Sequence, residues 1–383
     1  MSDTARLAWV DQECRLLAGI RAEFAQTRPF DGITIGSAIH LEPKTAALVR
    51  TLQAGGADVI ATGNLNSTQP ATVEYLRAHG VRVVGAATRD RAERARHIDA
   101  ILDAKPDVLL DNGGDMFLRY LERPYDGLLG GTEETTSGRQ VLEPRRADLD
   151  MPILVINDSP IKAFGENEHA VGQSCLESYM RFTNRITNGE RVVVIGYGWC
   201  GRGVAKNFRN AHCQVTVVDV DPVACLRALF DGYRTAPLAQ ALADADLVVT
   251  VTGGGKTIGA AEIGLLRDGA ILANAGHEPD EIDMTEIEAA PGVEARTTLP
   301  DVRSITQPSG RTVHVLGAGH MFNLSGPGAL GNSIQSMDLG FSMQSRCLEW
   351  VATGRVDARS CVVPVPREID VEIAQRYLAL KRA

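Results

Sequence analysis

Two open α/β domains, each a doubly wound parallel sheet, are the fold that this sequence predicts: a substrate domain and a Rossmann-type dinucleotide domain. Three observations predict it. Short apolar, β-branched runs recur along the chain with helical patterns between them, the alternation that builds parallel sheets. Polar residues gather just after those runs, where open sheets bind ligands. At 383 residues the chain exceeds one ordinary domain. The expected division is 1–185, completed by 330–383, and 186–329.

The second domain is announced by Arg191 to Pro222. Arg191 to Ile195 reads as a buried strand and runs into Gly196-Tyr197-Gly198-Trp199-Cys200-Gly201. A helical stretch, a second strand from Gln214 to Val218 and the acid Asp219 follow. A glycine turn of this kind is common by itself. With strand, helix, strand and terminal acid in place it is a dinucleotide fingerprint. Gly196 makes the turn, Gly198 lets backbone amides approach a pyrophosphate, and Gly201 lets helix pack on strand. Asp219 lies near the ~20-residue spacing at which a carboxylate binds a ribose 2′-hydroxyl and repels a 2′-phosphate. The expected cofactor is NAD rather than NADP.

Composition excludes several classes. Hydrophobic content of 44 % and charged content of 23 % are those of a globular protein. A net charge of −9 and the lack of basic runs argue against a nucleic-acid partner. No segment resembles a signal peptide, and no apolar run nears the ~20 residues that cross a bilayer. The seven cysteines, Cys14, Cys175, Cys200, Cys213, Cys225, Cys347 and Cys361, never fall in C-x-x-C spacing. They read as reduced thiols of a cytoplasmic protein, with no metal site expected.

Taken in order, Thr4 to Arg28 reads as one helix, and Ile33 to Ile39 as a strand ending at His40. Pro43 opens a helix through Gly55, Val59 to Thr62 is a strand, and the polar stretch Asn64 to Gln69 precedes a helix to Ala78. Strands at Val81 to Ala86 and Val108 to Leu110 follow, the latter ending in Asp111-Asn112-Gly113-Gly114-Asp115. Glu133 to Ser137 form a further polar cluster. Ile153 to Ile156 is a strand whose tip carries Asn157, Asp158, Lys162, Glu166, Asn167 and His169. Lys162 and Glu166 have the spacing of a surface helix pair. A partly dehydrated lysine beside a carboxylate is also a proton acceptor. Both readings stand on the residues alone. Beyond Asp219, Ala245 to Val251 is a strand ending in Thr252-Gly253-Gly254-Gly255, and Ala270 to Ala275 one ending in Gly276-His277. His277 at a strand tip suits either chemistry or a structural role. Val313 to Leu316 is a strand, Asn332 to Ala352 a long amphipathic packing helix, and Asp370 to Leu380 a short helix.

The stretches AIHLEPKTAALVRTL, NLNSTQ, LLDNGGD, EETTSG, INDSPIK with ENE, GYGWCGRG, VTGGG, NAGH and LGAGHMFNL together resemble the S-adenosylhomocysteine hydrolase family. They occur in that family's order and cover nearly the whole chain. The resemblance implies an NAD⁺ that is regenerated each turnover. In such an enzyme the nucleoside 3′-hydroxyl is oxidised, the C4′ proton becomes acidic, the 5′ substituent is eliminated, and water adds before hydride returns. Carried over residue by residue, Lys162 takes the 3′-hydroxyl proton, while Glu166, Asn167 and Glu134 hold the ribose. His40 and His277 assist at C5′. Gly198, Gly201, Asp219, Thr135, Thr136, Ser137 and Asn323 match dinucleotide contacts, with Gly196, Asn167, Thr252 and Gly276 beside them. His320 joins the substrate set.

The departures are as informative. Asn112 stands where the family's L-D-D-G-G-D segment has its second acid, and an amide abstracts no proton. In place of the threonine and glutamate of the family's H-M-T-x-E-T segment, the chain has Glu42 and Lys44. Two extra residues between Asn167 and Gly172 add His169, Leu330 or a close neighbour replaces a family histidine, and the chain ends at Lys381-Arg382-Ala383 without the family's longer tail. The expectation is therefore the same opening chemistry on a different purine nucleoside, of adenosine type, with water as one candidate leaving group: a nucleoside dehydratase of specialised metabolism. Reversible S-adenosylhomocysteine hydrolysis and a non-catalytic NAD-binding regulator are the alternatives. A homodimer or homotetramer is expected, using the apolar face from Ile334 to Val351.

Overall fold

The computed structural model describes residues 2–65 and 67–382; Asn66, within the expected polar stretch 64–69, lies outside them. The chain forms two units, Met1–Ala163 with Ile334–Ala383, and Phe164–Ser333. Strands are numbered in chain order.

In the first unit β1 (Thr34–Ala38), β2 (Asp58–Thr62), β3 (Arg82–Val83), β4 (Val108–Asp111), β5 (Gly130–Glu133), β6 (Ile153–Val155) and β15 (Val363–Pro364) form one sheet. Its order is β15-β6-β5-β4-β1-β2-β3 and every pairing is parallel. Successive side chains of a strand face opposite ways, and both faces are covered. Val108 and Leu110 pack with the helices Asp3–Glu13, Arg15–Thr27, Pro43–Ala54 and Ile334–Ala352, whereas Leu109 joins Ile98, Phe117 and Leu142 on the other side. Strand order reverses between β1 and β4, and the crevice outside their carboxyl ends is where such sheets bind ligands.

The second unit repeats the plan. Here β7 (Arg191–Ile195), β8 (Gln214–Val218), β9 (Arg234–Thr235), β10 (Leu247–Thr250), β11 (Ile271–Asn274), β12 (Glu294–Leu299), β13 (Val302–Thr306) and β14 (Thr312–Met321) are ordered β12-β13-β14-β11-β10-β7-β8-β9. Val192 and Val194 face one core, Val193 and Ile195 the other. The order reverses between β7 and β10, at the glycine motif. This sheet is mixed: β12 and β13 are antiparallel additions at its edge, which the parallel-sheet expectation omitted. The sequence EARTTL offers β12 no apolar alternation, since the strand is largely exposed.

The structure corrects other expectations. The unit boundary falls between Ala163 and Phe164 rather than between 185 and 186. The Val171–Thr183 helix sends Val171, Cys175 and Tyr179 into the second unit's core beside Val204, Ala205 and Phe208. At the crossing, a Cβ on Gly172 would overlap the Gly203 carbonyl, so only glycine permits this approach. The expected helix from Thr4 to Arg28 is two helices broken at Cys14. The buried Asp338 carboxylate, from the Ile334–Ala352 helix, accepts from the amides of Leu16 (2.8 Å) and Leu17 (2.9 Å), capping the second helix from a distance in sequence. The strand expected over 81–86 is only Arg82–Val83, and β5 was not anticipated because Gly-Gly-Thr-Glu carries no apolar run. The apolar face from Ile334 to Val351 is spent inside the unit: Met337, Phe341, Leu348 and Val351 are buried in its core. It is not a free oligomer surface.

Burial holds the Asp338 carboxyl up to about 6 from an ordinary 3.8, against the pull of the Leu17, Leu16 and Arg15 amides and of Arg21. A group whose native pKa is raised stabilises fully below its unfolded value and loses that contribution as pH rises. Unfolding by urea is therefore expected to show stability declining between pH ~4 and ~6 through this group. That component of the slope should vanish in Asp338→Asn. An unchanged slope would mean that the carboxyl titrates as it does in the unfolded chain.

Candidate functional site

In the first unit, the carboxyl ends of the central strands carry a connected set of buried polar groups. Lys162, on the π-helix Lys162–Ala170 that follows β6, is 4 % exposed. Its Nζ lies 3.1 Å from Glu134 Oε1, just past β5. Lys162 and Glu166 are both buried, so they are not a solvated surface pair, and Lys162 Nζ donates to Glu134. Glu134 Oε2 accepts from Asn112 Nδ2 (2.9 Å), at the end of β4. Asn112 Oδ1 accepts from Asn64 Nδ2 (2.6 Å), past β2, and Asn64 Oδ1 accepts from Arg94. Burial pushes the Glu134 carboxyl up, but Lys162, the Asn112 hydrogen bond and His40 outweigh it, so it is held below the usual range. Half-buried His40, past β1, shares a 2.6 Å hydrogen bond from Nδ1 with the Ser67 hydroxyl. Glu42, the N-cap of the Pro43–Ala54 helix, and Lys44 in its first turn, the two departures, pair with each other at 2.8 Å and are both buried.

Beneath this set, two buried acids hold the loops in shape. Asp111 accepts from the amides of Asn112, Met116 and Phe117. Glu133 accepts from the amides of Gly113 and Gly114 (3.0 Å each) and from the amide and hydroxyl of Thr135 (2.7 Å each). Burial raises both carboxyls, Asp111 well above its ordinary value and Glu133 to about 7. Thr135 also caps the Thr136–Leu142 helix at the Gly138 amide, and exposed Thr136 accepts from Asn157 at 2.6 Å. Thr135, Thr136 and half-buried Ser137 therefore lie in the first unit.

The second unit holds the glycine turn. Gly196 has φ 102° and a Cβ there would sit 2.7 Å from the Val251 carbonyl, while one on Gly201 would overlap the Gly196 carbonyl. At Gly198 a Cβ would meet nothing within 4 Å, so this backbone faces open space at the start of the Trp199–Asn210 helix. Asp219 accepts from the Tyr197 amide (2.7 Å) and the Asp221 amide (2.9 Å), which ties the acid to the turn. Asn323 donates to Ser174 (3.1 Å), Ser174 donates to Asn332 (3.1 Å), and Asn332 donates to Glu166 (3.5 Å). The Asn323 Oδ1 is buried without a hydrogen-bond partner. Glu281, fully buried, accepts from the amides of Thr252 (2.9 Å) and Gly253 (2.8 Å). A Cβ on Gly276 would strike that carboxylate. Asn274 donates to the Glu278 and Gly319 carbonyls, which ties together the loops carrying His277 and His320, both half-buried. His169 is exposed and Asn167 half-buried.

A family model for the S-adenosyl-L-homocysteine hydrolase matches residues 4–126, and one for the NAD-binding domain of the same enzyme matches 167–329. An S-inosyl-L-homocysteine hydrolase of Methanopyrus kandleri is 37 % identical over 380 residues, 97 % of this chain and 89 % of that protein. One of Methanothermobacter thermautotrophicus is 36 % identical over 97 % of this chain and 90 % of its own length. An adenosylhomocysteinase of Thermococcus kodakarensis is 36 % identical over 99 % of this chain and 90 % of its own. The chain belongs to the S-adenosyl-L-homocysteine hydrolase family. NAD is the cofactor of this family's second domain, and the residues present fit it. Open backbone at Gly198 suits a pyrophosphate, Asp219 a ribose diol, and the orphaned Asn323 oxygen a donor of the dinucleotide.

Sequence reasoning missed Arg94, Glu281, Asn274, Ser174 and Asn332. Asn274 opens the NAGH stretch but was given no role there, and Arg94, Glu281, Ser174 and Asn332 fall in none of the quoted stretches. Glu133 was noticed only as part of a polar cluster.

Two outcomes follow. NAD is expected to bind more tightly than NADP in a calorimetric titration, and Asp219→Ala should narrow the difference, because the carboxylate repels the 2′-phosphate; tighter binding of NADP would refute this. Glu133→Gln presents an NH₂ group to backbone donors. It should lower stability by about 1–3 kcal/mol in urea unfolding, and a neutral effect would show that the loop does not depend on the carboxylate.

Proposed function

We propose that this chain is an NAD-dependent enzyme acting on a purine nucleoside by transient oxidation at C3′, deprotonation at C4′ and elimination of the 5′ substituent. The observation that carries the reading is the buried Lys162–Glu134 pair past the carboxyl ends of β5 and β6. NAD, when bound, supplies the hydride acceptor and donor. Lys162, as the free amine, takes the 3′-hydroxyl proton; the ammonium then faces the Glu134 carboxylate, which stabilises it. Against burial, Lys162, the Asn112 hydrogen bond to the second Glu134 oxygen and His40 together hold this carboxyl below its ordinary range. The proposal retains the family roles of Glu166 and Asn167 toward the ribose hydroxyls, and of His40 and His277 toward C5′.

The rewritten polar set supports a substrate other than S-adenosylhomocysteine. Asn112 offers no acid or base, and Glu42 and Lys44 neutralise each other. With a 5′-hydroxyl as the leaving group the reaction is a dehydration. A second reading is favoured by Lys44: a buried ammonium donates to a purine oxo group better than to an amino group. It supports thioether hydrolysis on a hypoxanthine base, the substrate named for two of the relatives.

Incubation with S-adenosyl- and S-inosylhomocysteine and with purine nucleosides bearing a free 5′-hydroxyl, followed by mass analysis, separates these readings. Loss of water supports the first and release of homocysteine the second. No nucleoside product, with no reduced-nicotinamide absorbance, would sink both. Lys162→Met is expected to abolish that absorbance on substrate addition, whereas His277→Ala should still show it and stall later. Near-normal reduction in Lys162→Met would refute the role of this lysine.

A further inference from the structure

The buried polar set has a direction. Arg94, on the Arg91–Leu102 helix, is 4 % exposed, and Asn64, Asn112, Glu134 and Lys162 are buried with it. A guanidinium has only donors and a carboxylate only acceptors. Arg94 at one end therefore obliges Asn64 to present its oxygen, which leaves the Asn64 NH₂ for the Asn112 oxygen. The Asn112 NH₂ is then left for Glu134, whose other oxygen meets Lys162. Turning either amide over would set donor against donor or acceptor against acceptor. The chain of bonds spans the carboxyl ends of β2, β4 and β5 and is built from elements far apart in sequence.

We propose that Arg94 is a positioning residue: through the amides of Asn64 and Asn112 it fixes the N–H donated to Glu134, and so supports the Glu134 carboxylate that faces Lys162. Its catalytic consequence rests on the function proposed above; its electrostatics do not. Arg94 also meets Asp115 at 3.4 Å, and Glu134 faces Lys162, His40 and Glu133. The same logic accounts for an amide at position 112. A carboxylate there would accept from Asn64 equally well, but it would place a like charge against Glu134 and give it no donor.

The test uses ligand-free protein labelled with ¹³C at glutamate carboxyls, with the Glu134 signal identified by its loss in Glu134→Gln. Arg94→Gln should raise the Glu134 titration midpoint by about one pH unit, a tenfold change in its ionisation constant. Asn64→Ala should raise it similarly, although the guanidinium charge remains, and Arg94→Lys should restore most of the wild-type value. In an Asn112→Ala background, Arg94→Gln should move the midpoint no further. The proposal fails if Asn64→Ala leaves the midpoint in place, or if Arg94→Gln acts equally with and without Asn112. Should Arg94→Gln not fold, Asn64→Ala and Arg94→Lys decide the question alone. Because no substrate is present, absence of turnover does not count against this result, nor does a negative result here against the nucleoside reading.

Discussion

Two opposite charges taken out of water at the carboxyl edge of the first sheet constrain much of what surrounds them. Burying an ion carries a penalty of several kcal/mol, offset only if its remaining hydrogen-bonding capacity is met. Glu134 commits one oxygen to Lys162 and the other to Asn112. Asn112 then requires a donor for its own oxygen, Asn64 supplies it, and Asn64 in turn requires Arg94. A demand that begins at one ion pair therefore sets the side-chain orientation of loops after β2, β4 and β5 and of the helix after β3. A second buried pair, Glu42 with Lys44, stands at the start of the Pro43–Ala54 helix after β1.

Both units use one device to shape their strand-tip loops: an acid that accepts from successive backbone amides. Glu133 does so for Gly113, Gly114 and Thr135, and Asp111 for Asn112, Met116 and Phe117. Glu281 holds Thr252 and Gly253, and Asp219 holds Tyr197 and Asp221; Asp338 does the same at a helix start, for Leu16 and Leu17. Loops at these positions cannot pair their amides in a ladder, and an amide left unpaired away from water is expensive. A carboxylate accepts several such bonds at once. Where burial is deepest, as for Asp111, Glu133 and Glu281, it also raises the carboxyl above its ordinary value.

Much of this was legible in the amino-acid order. Val192 to Ile195 and Leu247 to Val249 are apolar on both faces because helices cover both sides of a parallel sheet. The glycines of the turn were legible because each answers a local steric need, and the structure shows a different one at Gly196, Gly198 and Gly201. Elements without a local pattern were not. β5 is Gly-Gly-Thr-Glu, β12 is exposed, and the break at Cys14 is made by an acid more than 300 residues later in the chain.

The sequence by itself determined the βα alternation, the dinucleotide turn and the identity of Lys162, Glu134, Asn112 and His40 as residues of strand tips, because period and glycine placement are local properties of the chain. Only the tertiary structure decided which of those residues meet. Nothing in the order of residues joins Lys162 to Glu134, and the fold brings them to 3.1 Å; Arg94 carried no signal until folding set it against Asn64. Partnership between buried charges is decided by desolvation, which has no value until the chain around them has closed.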